Sequence, residues 1–418
     1  MFKLTIDRSV LNNEITYLRE ILDKKPINEI LSNYLFKLVY NEAIEAYDLF
    51  ISATDLDLYI TTKLSSFTTT FSEKTLSWLV PAKELTNIIS KLGNTELHFS
   101  FTEINEHLEL KALKSKHRLM TASAEDFINE PEKIDPMSFS LPTELLKDMT
   151  NRVVPTFSID EEKDSRFNLS GIKFDLLQGL DKDKNPTKEL NLVFALNNKL
   201  HFITSKLNYI KSTPNPDGKN LPPIQEVIDI DPLTKDSITC LIPRTSIKFL
   251  SKLCNTDIDT INIEKTENHM FFTIGNRTFV TRLLSGQFPN YKVMANYKHN
   301  SSIPLNRKEF YNCIDRALAI NNDKQKSIRL FNAKSNSLFI RSETRLGNSE
   351  DIYDDESLDI AGTEIQAKFY FNHVESFLRN ETNEQISFHW DKGKKSILKF
   401  GAIYDKFQSY CLFSGLNT

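Results

Sequence analysis

Two acidic clusters are the residues whose types could carry chemistry most directly. Asp160-Glu161-Glu162 and Asp354-Asp355-Glu356 could bind a metal ion or act as acid and base. Both lie in polar stretches that predict loops, without a nearby histidine or glycine-rich element. The chain also has no phosphate-binding loop, no GxGxxG after a strand and no nucleophile motif. The sequence therefore favours solvated loops, and a metal-dependent or hydrolytic enzyme stays a competing interpretation.

The four cysteines show no spacing typical of a metal cluster. Cys240, Cys254, Cys313 and Cys411 are scattered without a CxxC pair, which fits a reduced cytosol. No run of about 18 apolar residues is present, so no membrane span is predicted. The first residues alternate like a strand and lack the apolar core of a signal peptide. We therefore expect a cytoplasmic protein without a metal or other cofactor.

A basic helix face is the next candidate for chemistry. Arg244, Lys248 and Lys252 follow one another at spacings of four, which places them on one side of a helix. The six predicted helices span 8–25, 82–92, 142–154, 244–255, 306–318 and 372–380. They carry 15 basic and 9 acidic residues, while the net charge of the chain is −4. The helices are thus basic and the remainder is acidic, which indicates a surface that binds a phosphate backbone without reading base sequence.

Two alternating patterns position these helices, and each occurs three times. In the first pattern an alternating strand leads into an amphipathic helix, and its three copies start at Leu4, Phe139 and Ile303. In the second, a strand ends at proline or asparagine and a shorter helix begins; its copies start at Trp78, Leu241 and Phe369. Strands separated by polar turns fill the gaps, so the sheets should be mostly antiparallel. The patterns predict an α+β fold of three repeated domains at 1–130, 137–297 and 301–418, each with two helices packed on antiparallel sheets.

Four motifs carry a resemblance to a known family. They are Ser52–Asp57 in the first repeat, Arg166–Phe174 and Gly286–Tyr291 in the second, and Ile328–Leu330 in the third. In the Gly286–Tyr291 motif, the glycine permits a positive φ and a proline follows, so the preceding strand must end there. Along nearly its whole length, from Phe2 to about Leu416, the chain resembles the bacterial DNA polymerase III beta subunits, the sliding clamps.

The resemblance implies a head-to-tail homodimeric ring in which the first domain of one chain meets the third domain of the other. Duplex DNA would thread a channel lined by the helices, and the ring would tether the replicative polymerase as a processivity factor without catalysing a reaction. The replicative polymerase subunit, the clamp loader and repair proteins would dock short linear peptides. A clamp-like paralogue that acts as a non-encircling scaffold is the alternative function.

The resemblance also assigns residues to three surfaces. The peptide pocket would be formed by Leu169, Thr204, Leu207, Pro289, Val293, Met294, Asn372, Ser396, Cys411, Leu412, Phe413 and Ser414, where Phe413 is expected to narrow or reshape the usual pocket. DNA would be contacted by Lys24, Lys25, Lys163 and Arg166, together with the basic helix residues Arg244, Lys248 and Lys252. The dimer interface would contain His117, Leu119, Ala319 and Ile320.

Overall fold

The computed structural model describes most of the chain as two compact units. The described residues are 2–22, 28–102, 107–156, 171–180, 186–196, 201–208, 238–288, 290, 293, 297–332, 337–355, 358, 360, 363–391, 397–404 and 408–416. Unit 1 consists of Met1–Thr143 and Lys252–Leu283, and unit 2 consists of Glu144–Ser251 and Leu284–Thr418. The predicted division into three domains is a finer grouping of the sequence and stays a prediction.

In the described chain, five of the six predicted helices begin within one residue of the predicted start, and the last begins three residues later, at Glu375. Their bounds are α1 (Arg8–Leu18), α2 (Ala82–Lys91), α3 (Thr143–Val153), α4 (Arg244–Leu253), α5 (Arg307–Ala317) and α6 (Glu375–Asn380), with short 3-10 helices at Glu29–Ser32, Val154–Thr156 and Phe371–His373. Asp7 caps α1 by accepting from the Ser9 amide, and Asn306 caps α5 by accepting from the Glu309 amide. The predicted extension of the first helix to residue 25 is wrong, because turns follow directly after Leu18.

Unit 1 contains two antiparallel sheets. A five-stranded sheet has the order β5-β1-β7-β8-β9, and a nine-stranded sheet has the order β10-β6-β2-β3-β4-β18-β17-β16-β11. Their strands are β1 (Phe2–Asp7), β2 (Asn33–Asn41), β3 (Ala46–Thr54), β4 (Leu58–Leu64), β5 (Phe67–Thr69), β6 (Thr75–Pro81), β7 (Glu96–Thr102), β8 (His107–Ala112), β9 (Ser115–Met120), β10 (Ala122–Ser123), β11 (Met137–Pro142), β16 (Thr260–Lys265), β17 (His269–Ile274) and β18 (Arg277–Arg282). Strands from the first and second predicted domains therefore share one sheet, through the β4–β18 pair.

Unit 2 repeats this arrangement. An eight-stranded sheet has the order β15-β12-β13-β14-β26-β25-β24-β19, and a four-stranded sheet has the order β22-β21-β20-β23. Their strands are β12 (Gly171–Leu180), β13 (Pro186–Leu196), β14 (His201–Asn208), β15 (Ile238–Pro243), β19 (Ser301–Asn306), β20 (Ser327–Phe331), β21 (Leu338–Thr344), β22 (Gly347–Tyr353), β23 (Gln366–Tyr370), β24 (Gln385–Trp390), β25 (Ile397–Ile403) and β26 (Gln408–Ser414). Here the β14–β26 pair joins strands from the second and third predicted domains.

Alternating burial explains how these strands build a core. In β1 the burial pattern is strictly alternating, so Phe2, Leu4 and Ile6 face inward while the residues between them face outward. The same alternation in β24 buries Phe388, whose ring centroid lies 4.8 Å from that of the buried Phe400 in β25. Apolar stripes of the helices cover these inward faces. The α+β class with antiparallel sheets, predicted from the sequence, is confirmed.

Candidate binding surfaces

Helix α4 carries three basic residues and no acidic one, but it does not present all three to solvent. Arg244, at the first position of the helix, is only 6% exposed, so it is buried rather than available to a phosphate as the spacing predicted. Lys248 is half-buried, and Lys252 is exposed. The ammonium of Lys252 lies 2.6 Å from the Glu20 carboxylate. The accessible positive charge of this helix therefore concentrates toward its last turn.

Two exposed lysines of α2 add to the positive charge of unit 1. Lys83 and Lys91 lie at the two ends of that helix, and the single acidic residue Glu84 stands beside the first. The sequence counted these lysines among the basic helix residues but did not select them as DNA contacts. The remaining predicted DNA contacts, Lys24, Lys25, Lys163 and Arg166, lie outside the described residues.

Part of the predicted peptide wall is brought together in unit 2. Strand β14, which contains Thr204 and Leu207, pairs with β26, and Thr204 stands opposite Gln408. The Cys411 thiol lies 3.3 Å from the His373 carbonyl oxygen, next to Asn372. Asn372 itself is exposed. Its side-chain oxygen accepts a hydrogen bond of 3.2 Å from the backbone amide of Lys326, the residue that directly precedes β20.

The other predicted pocket residues are placed differently or are not described. Val293 is 68% exposed and Ser414 is exposed. Leu169, Pro289, Met294 and Ser396 lie outside the described residues. Gly286, in the motif that precedes Val293, has a φ of +113°, in the left-handed region that the sequence reserved for it.

Phe413 fills the core of unit 2 instead of narrowing a surface pocket. The residue is 3% exposed, and its ring packs 5.3 Å from Phe369 and 6.0 Å from Phe400. Cys411 shares this inward face and is fully buried. An aromatic side chain in such a position contributes mainly to packing, so replacing it would open a cavity. Phe413 is therefore a poor position at which to test peptide docking.

Strand β9 is the terminal strand of the five-stranded sheet and presents a basic row. Lys116 and Arg118 are exposed, and both contact Glu109 on the neighbouring strand, the first at 2.7 Å. The lysines on both sides lower the pKa of Glu109 to about 2. The outward-facing Met120 at the end of the strand is 67% exposed.

The two interface residues predicted on β9 face the other way. Leu119 is only 7% exposed and packs inside unit 1, and His117 is half-buried on the same face. A partner strand would therefore meet mainly the backbone of Leu119.

Strand β22 is the terminal strand of the four-stranded sheet and presents acidic and apolar residues. Glu350 lies 2.6 Å from Arg341 of the adjacent strand, and Asp351 forms an ion pair with Arg316 of α5. Ile352 on this strand is 48% exposed, and Leu346 in the turn before it is 86% exposed. Both predicted interface residues in this region, Ala319 and Ile320, are exposed. The terminal strands β9 and β22 thus combine complementary charge with unburied apolar surface.

A buried ion pair reinforces the β4–β18 join within unit 1. The guanidinium of Arg277 donates two hydrogen bonds of 2.8 Å to Glu14, and the Thr62 hydroxyl donates a third at 2.7 Å. Arg277 also lies over the ring of Tyr17, 4.1 Å from its centroid. Glu14 is 6% exposed, so these partners rather than water surround its carboxylate. No short stretch of sequence indicates this cluster, because its members are far apart along the chain.

A second cluster that also combines arginine, glutamate, tyrosine and a hydroxyl residue lies beside the β14–β26 join within unit 2. Arg152 lies over the ring of Tyr404 at 4.5 Å, and its Nε is 3.5 Å from Glu381. Hydroxyl groups of Tyr404 and Ser409 donate to the two oxygens of that carboxylate. A small cleft opens at this cluster and is lined by Arg152, Val153, Ser376, Phe377, Asn380, Glu381 and Ser409. None of these residues belongs to the predicted peptide pocket.

The described chain offers no support for the catalytic interpretation. Among the described residues, no three His, Cys, Asp or Glu side chains are grouped closely enough to hold a metal ion. Asp160-Glu161-Glu162 and Glu356 fall outside the described residues, and Asp355 accepts a hydrogen bond from the Tyr353 hydroxyl at 2.9 Å. Within that same described part, no helix is both long and apolar enough to cross a membrane.

Comparisons with known proteins agree on one family. A family model described as the N-terminal domain of the DNA polymerase III beta subunit matches residues 2–131, and one for its central domain matches residues 225–290. The beta sliding clamp of Haemophilus influenzae is 23% identical over 376 residues, which cover 89% of this chain and 88% of that protein. That of Buchnera aphidicola is 22% identical over 398 residues, or 94% of each chain.

A solved structure extends this agreement to the fold. The DnaN sliding clamp of Pseudomonas aeruginosa bound to griselimycin superposes with a TM-score of 0.79 at 20% identity, and the match covers 100% of both chains. Sequence relatives, family models and fold therefore coincide on one family, the bacterial DNA polymerase III beta subunits or beta sliding clamps, which this chain resembles over nearly its whole length.

Proposed function

We propose that this protein is a DNA sliding clamp: a ring of two chains that encircles duplex DNA and tethers the replicative polymerase as a processivity factor. The observation that carries the proposal is the way the repeats are joined. Each internal join is an antiparallel strand pair, β4–β18 in unit 1 and β14–β26 in unit 2. Among the terminal strands of the described sheets are β9, which belongs to the first repeat, and β22, which belongs to the third. A second copy can satisfy both by the same kind of pairing, which closes a head-to-tail ring.

The charge distribution supports DNA as the occupant of that ring. The protein carries a net charge of −4, yet α4 has three basic residues and no acidic one. Lysines such as Lys248 and Lys252 attract phosphates without contacting base edges, so binding would not select a sequence. A ring held by its topology needs no tight contact with DNA and is free to slide. A non-catalytic role follows, in the compartment that holds the chromosome, the cytoplasm.

Partner proteins would reach the clamp through short peptide motifs. The replicative polymerase, the clamp loader and repair proteins are the partners expected from the family. The segment around Asn372 and the end of β26 supports a docking place, because an exposed amide and the exposed Ser414 border a large apolar core. The proposed wall of the peptide pocket also includes Leu169, Thr204, Leu207, Pro289, Val293, Met294 and Ser396.

The test begins with mass and ends with topology. Sedimentation equilibrium should give twice the chain mass of 48.3 kDa at micromolar concentration. The clamp, loaded onto nicked circular DNA by the clamp loader of the same cell, should co-elute with the plasmid and dissociate once the plasmid is cut to a linear form. Retention that is equal on circular and linear DNA, or a monomer at every concentration, would refute encirclement.

A further inference from the structure

The two internal joins use equivalent positions of the repeat. In unit 1, Thr61 of β4 stands opposite Thr278 of β18. In unit 2, Phe202 of β14 stands opposite Tyr410 of β26. The strand ladders themselves establish which positions are equivalent, without any superposition of side chains.

The first member of each pair can be located by following cross-strand partners through the sheet. The starting point is the residue that directly precedes the second helix of each repeat, or the 3-10 helix that takes its place in the third repeat. In the first repeat the path runs from Pro81 to its partner Asn33, two residues on to Leu35, across to Ser52 and across again to Thr61. In the second repeat the same steps lead from Pro243 through Gly171, Lys173 and Ala195 to Phe202. In the third repeat they lead from Tyr370 through Ser327, Arg329 and Arg341 to Glu350. Glu350 therefore occupies the joining position of the third repeat.

The second member of each pair is located in the same way. The starting point is the residue three positions before the first helix of each repeat, and each step moves to the partner on the neighbouring strand. In the second repeat, Ser140 leads through Asn262 and Thr273 to Thr278. In the third repeat, Pro304 leads through Ser387 and Gly401 to Tyr410. In the first repeat, Thr5 leads through His98 and Lys111 to Lys116. Lys116 is therefore the joining position of the first repeat. Its strand, β9, pairs with β8 and is the last strand of the described five-stranded sheet.

We propose that β22 of one chain pairs with β9 of a second copy in the register that places Glu350 opposite Lys116. Ser349 then stands opposite His117, and Leu346 opposite Met120. The inference rests on the proposed ring and adds the residue pairs that close it.

The chemistry of the facing residues supports this register independently of the repeat. Lys116 already lies 2.7 Å from Glu109, and Glu350 lies 2.6 Å from Arg341, so charges of alternating sign would continue across the seam. Leu346 and Met120 are 86% and 67% exposed, and this register covers each with the other.

In unit 1 the backbone pairing extends as far as the positions equivalent to Leu346 and Met120. There the Arg282 amide donates to the Asp57 carbonyl oxygen at 2.9 Å. Arg282 and Asp57 stand four residues from Thr278 and Thr61, as Met120 and Leu346 stand four from Lys116 and Glu350. A slip of two residues would leave Leu346 and Met120 without each other, and a slip of one would turn every side chain to the opposite face.

Engineered cysteines test the register directly. In unit 1 the counterparts of Ser349 and His117 are Ile60 and Phe279, three residues away from hydrogen-bonded pairs and therefore of the closer, non-hydrogen-bonded kind. Such pairs suit a disulfide, and the four natural cysteines are all buried. The doubly substituted S349C/H117C chain should form a covalent dimer on mild oxidation. The matched S349C/S115C chain, displaced by two residues, should form about tenfold less.

Charge exchange supplies a second measurement. Glu350→Lys and Lys116→Glu should each raise the dimer dissociation constant about tenfold, because every ring contains two seams and each gains a like-charge contact. The doubly exchanged chain should dimerise more tightly than either single variant. Lys74→Glu is the control, because Lys74 also contacts an acidic residue, Glu42 at 3.4 Å, but belongs to neither β9 nor β22.

The outcomes separate the two levels of the proposal. A stable dimer that crosslinks in S349C/S115C as well as in S349C/H117C, or in which charge exchange restores nothing, overturns the register and leaves the ring. A wild-type chain that stays monomeric overturns the ring itself.

Discussion

Removing Arg277 should unfold unit 1 at distinctly lower denaturant concentration. The Arg277→Ala variant leaves Glu14 with the Thr62 hydroxyl as its remaining described partner, at a site where the glutamate is 6% exposed. It also removes the guanidinium from the face of Tyr17. Breaking one half of a buried ion pair costs about 3–5 kcal/mol, because the other charge stays buried without compensation. We expect a loss near the lower end, about 3 kcal/mol, because one hydroxyl donor remains.

The pair can be separated from the simple loss of side chains by a double substitution. Glu14→Leu should cost a similar amount alone, because it leaves the Arg277 guanidinium buried beside an apolar group. The Glu14→Leu/Arg277→Met chain buries no unpaired charge, and replacing both partners of a buried pair by apolar groups is often nearly neutral. We therefore expect the double variant to be more stable than either single variant, by about 1 kcal/mol or more.

The two tryptophans allow the measurement to be confined to unit 1. Trp78 belongs to unit 1 and Trp390 to unit 2, and both are buried. In a Trp390→Phe background, urea unfolding followed by tryptophan fluorescence reports on unit 1. Lys74→Ala, which breaks an exposed ion pair of the same unit, should leave the midpoint unchanged. Losses that simply add in the double variant would show that Glu14 and Arg277 do not act as a pair.

Three further predictions concern DNA, pH and packing. Lys248→Glu with Lys252→Glu should weaken equilibrium binding to duplex DNA and flatten its salt dependence, measured by fluorescence anisotropy. Burial, with Lys399 nearby, lowers the pKa of His389 to about 4, so the folded state binds fewer protons than the unfolded state between about pH 6.5 and 4. The contribution of His389 to stability should therefore be complete above pH 6.5 and fall toward acid by up to about 1.4 kcal/mol per pH unit. In urea titrations at several pH values, His389→Gln should reduce this slope. Gly401→Ala should lower the urea concentration at the midpoint of unfolding of unit 2, because the added Cβ would stand 2.9 Å from the Tyr410 ring. The expected loss in the free energy of unfolding is about 1–3 kcal/mol.

Local signals were sufficient to locate the helices and to identify the family. Pro81 and Pro243 directly precede α2 and α4, and Asp7 and Asn306 cap α1 and α5, so residue type alone marked these starting points. The end of α1 lacks such a marker. The apolar spacing continues through Leu18 and Leu22, and only the structure shows that the helix has ended.

Side-chain placement was harder to predict, because it depends on partners that are distant in sequence. Alternation shows that Cys411 and Phe413 share a face of β26, but it does not show that this face is the core. Similarly, the helical spacing of Arg244 does not reveal its burial. The Arg277–Glu14 pair joins residues 263 positions apart, so no short stretch of sequence contains the information that specifies it.

The β4–β18 join also imposes a delay during synthesis. Asn276, at the start of the β18 turn, bonds to Thr62 across 214 residues, so β4 is made long before its neighbouring strand exists. At bacterial translation rates of about 5–20 residues per second, β4 waits on the order of ten to forty seconds as an unpaired edge. During that interval every nascent chain displays a strand able to pair with another nascent chain. The same pairing that completes the sheet thus makes polysomes the place where this protein is most exposed to misassembly.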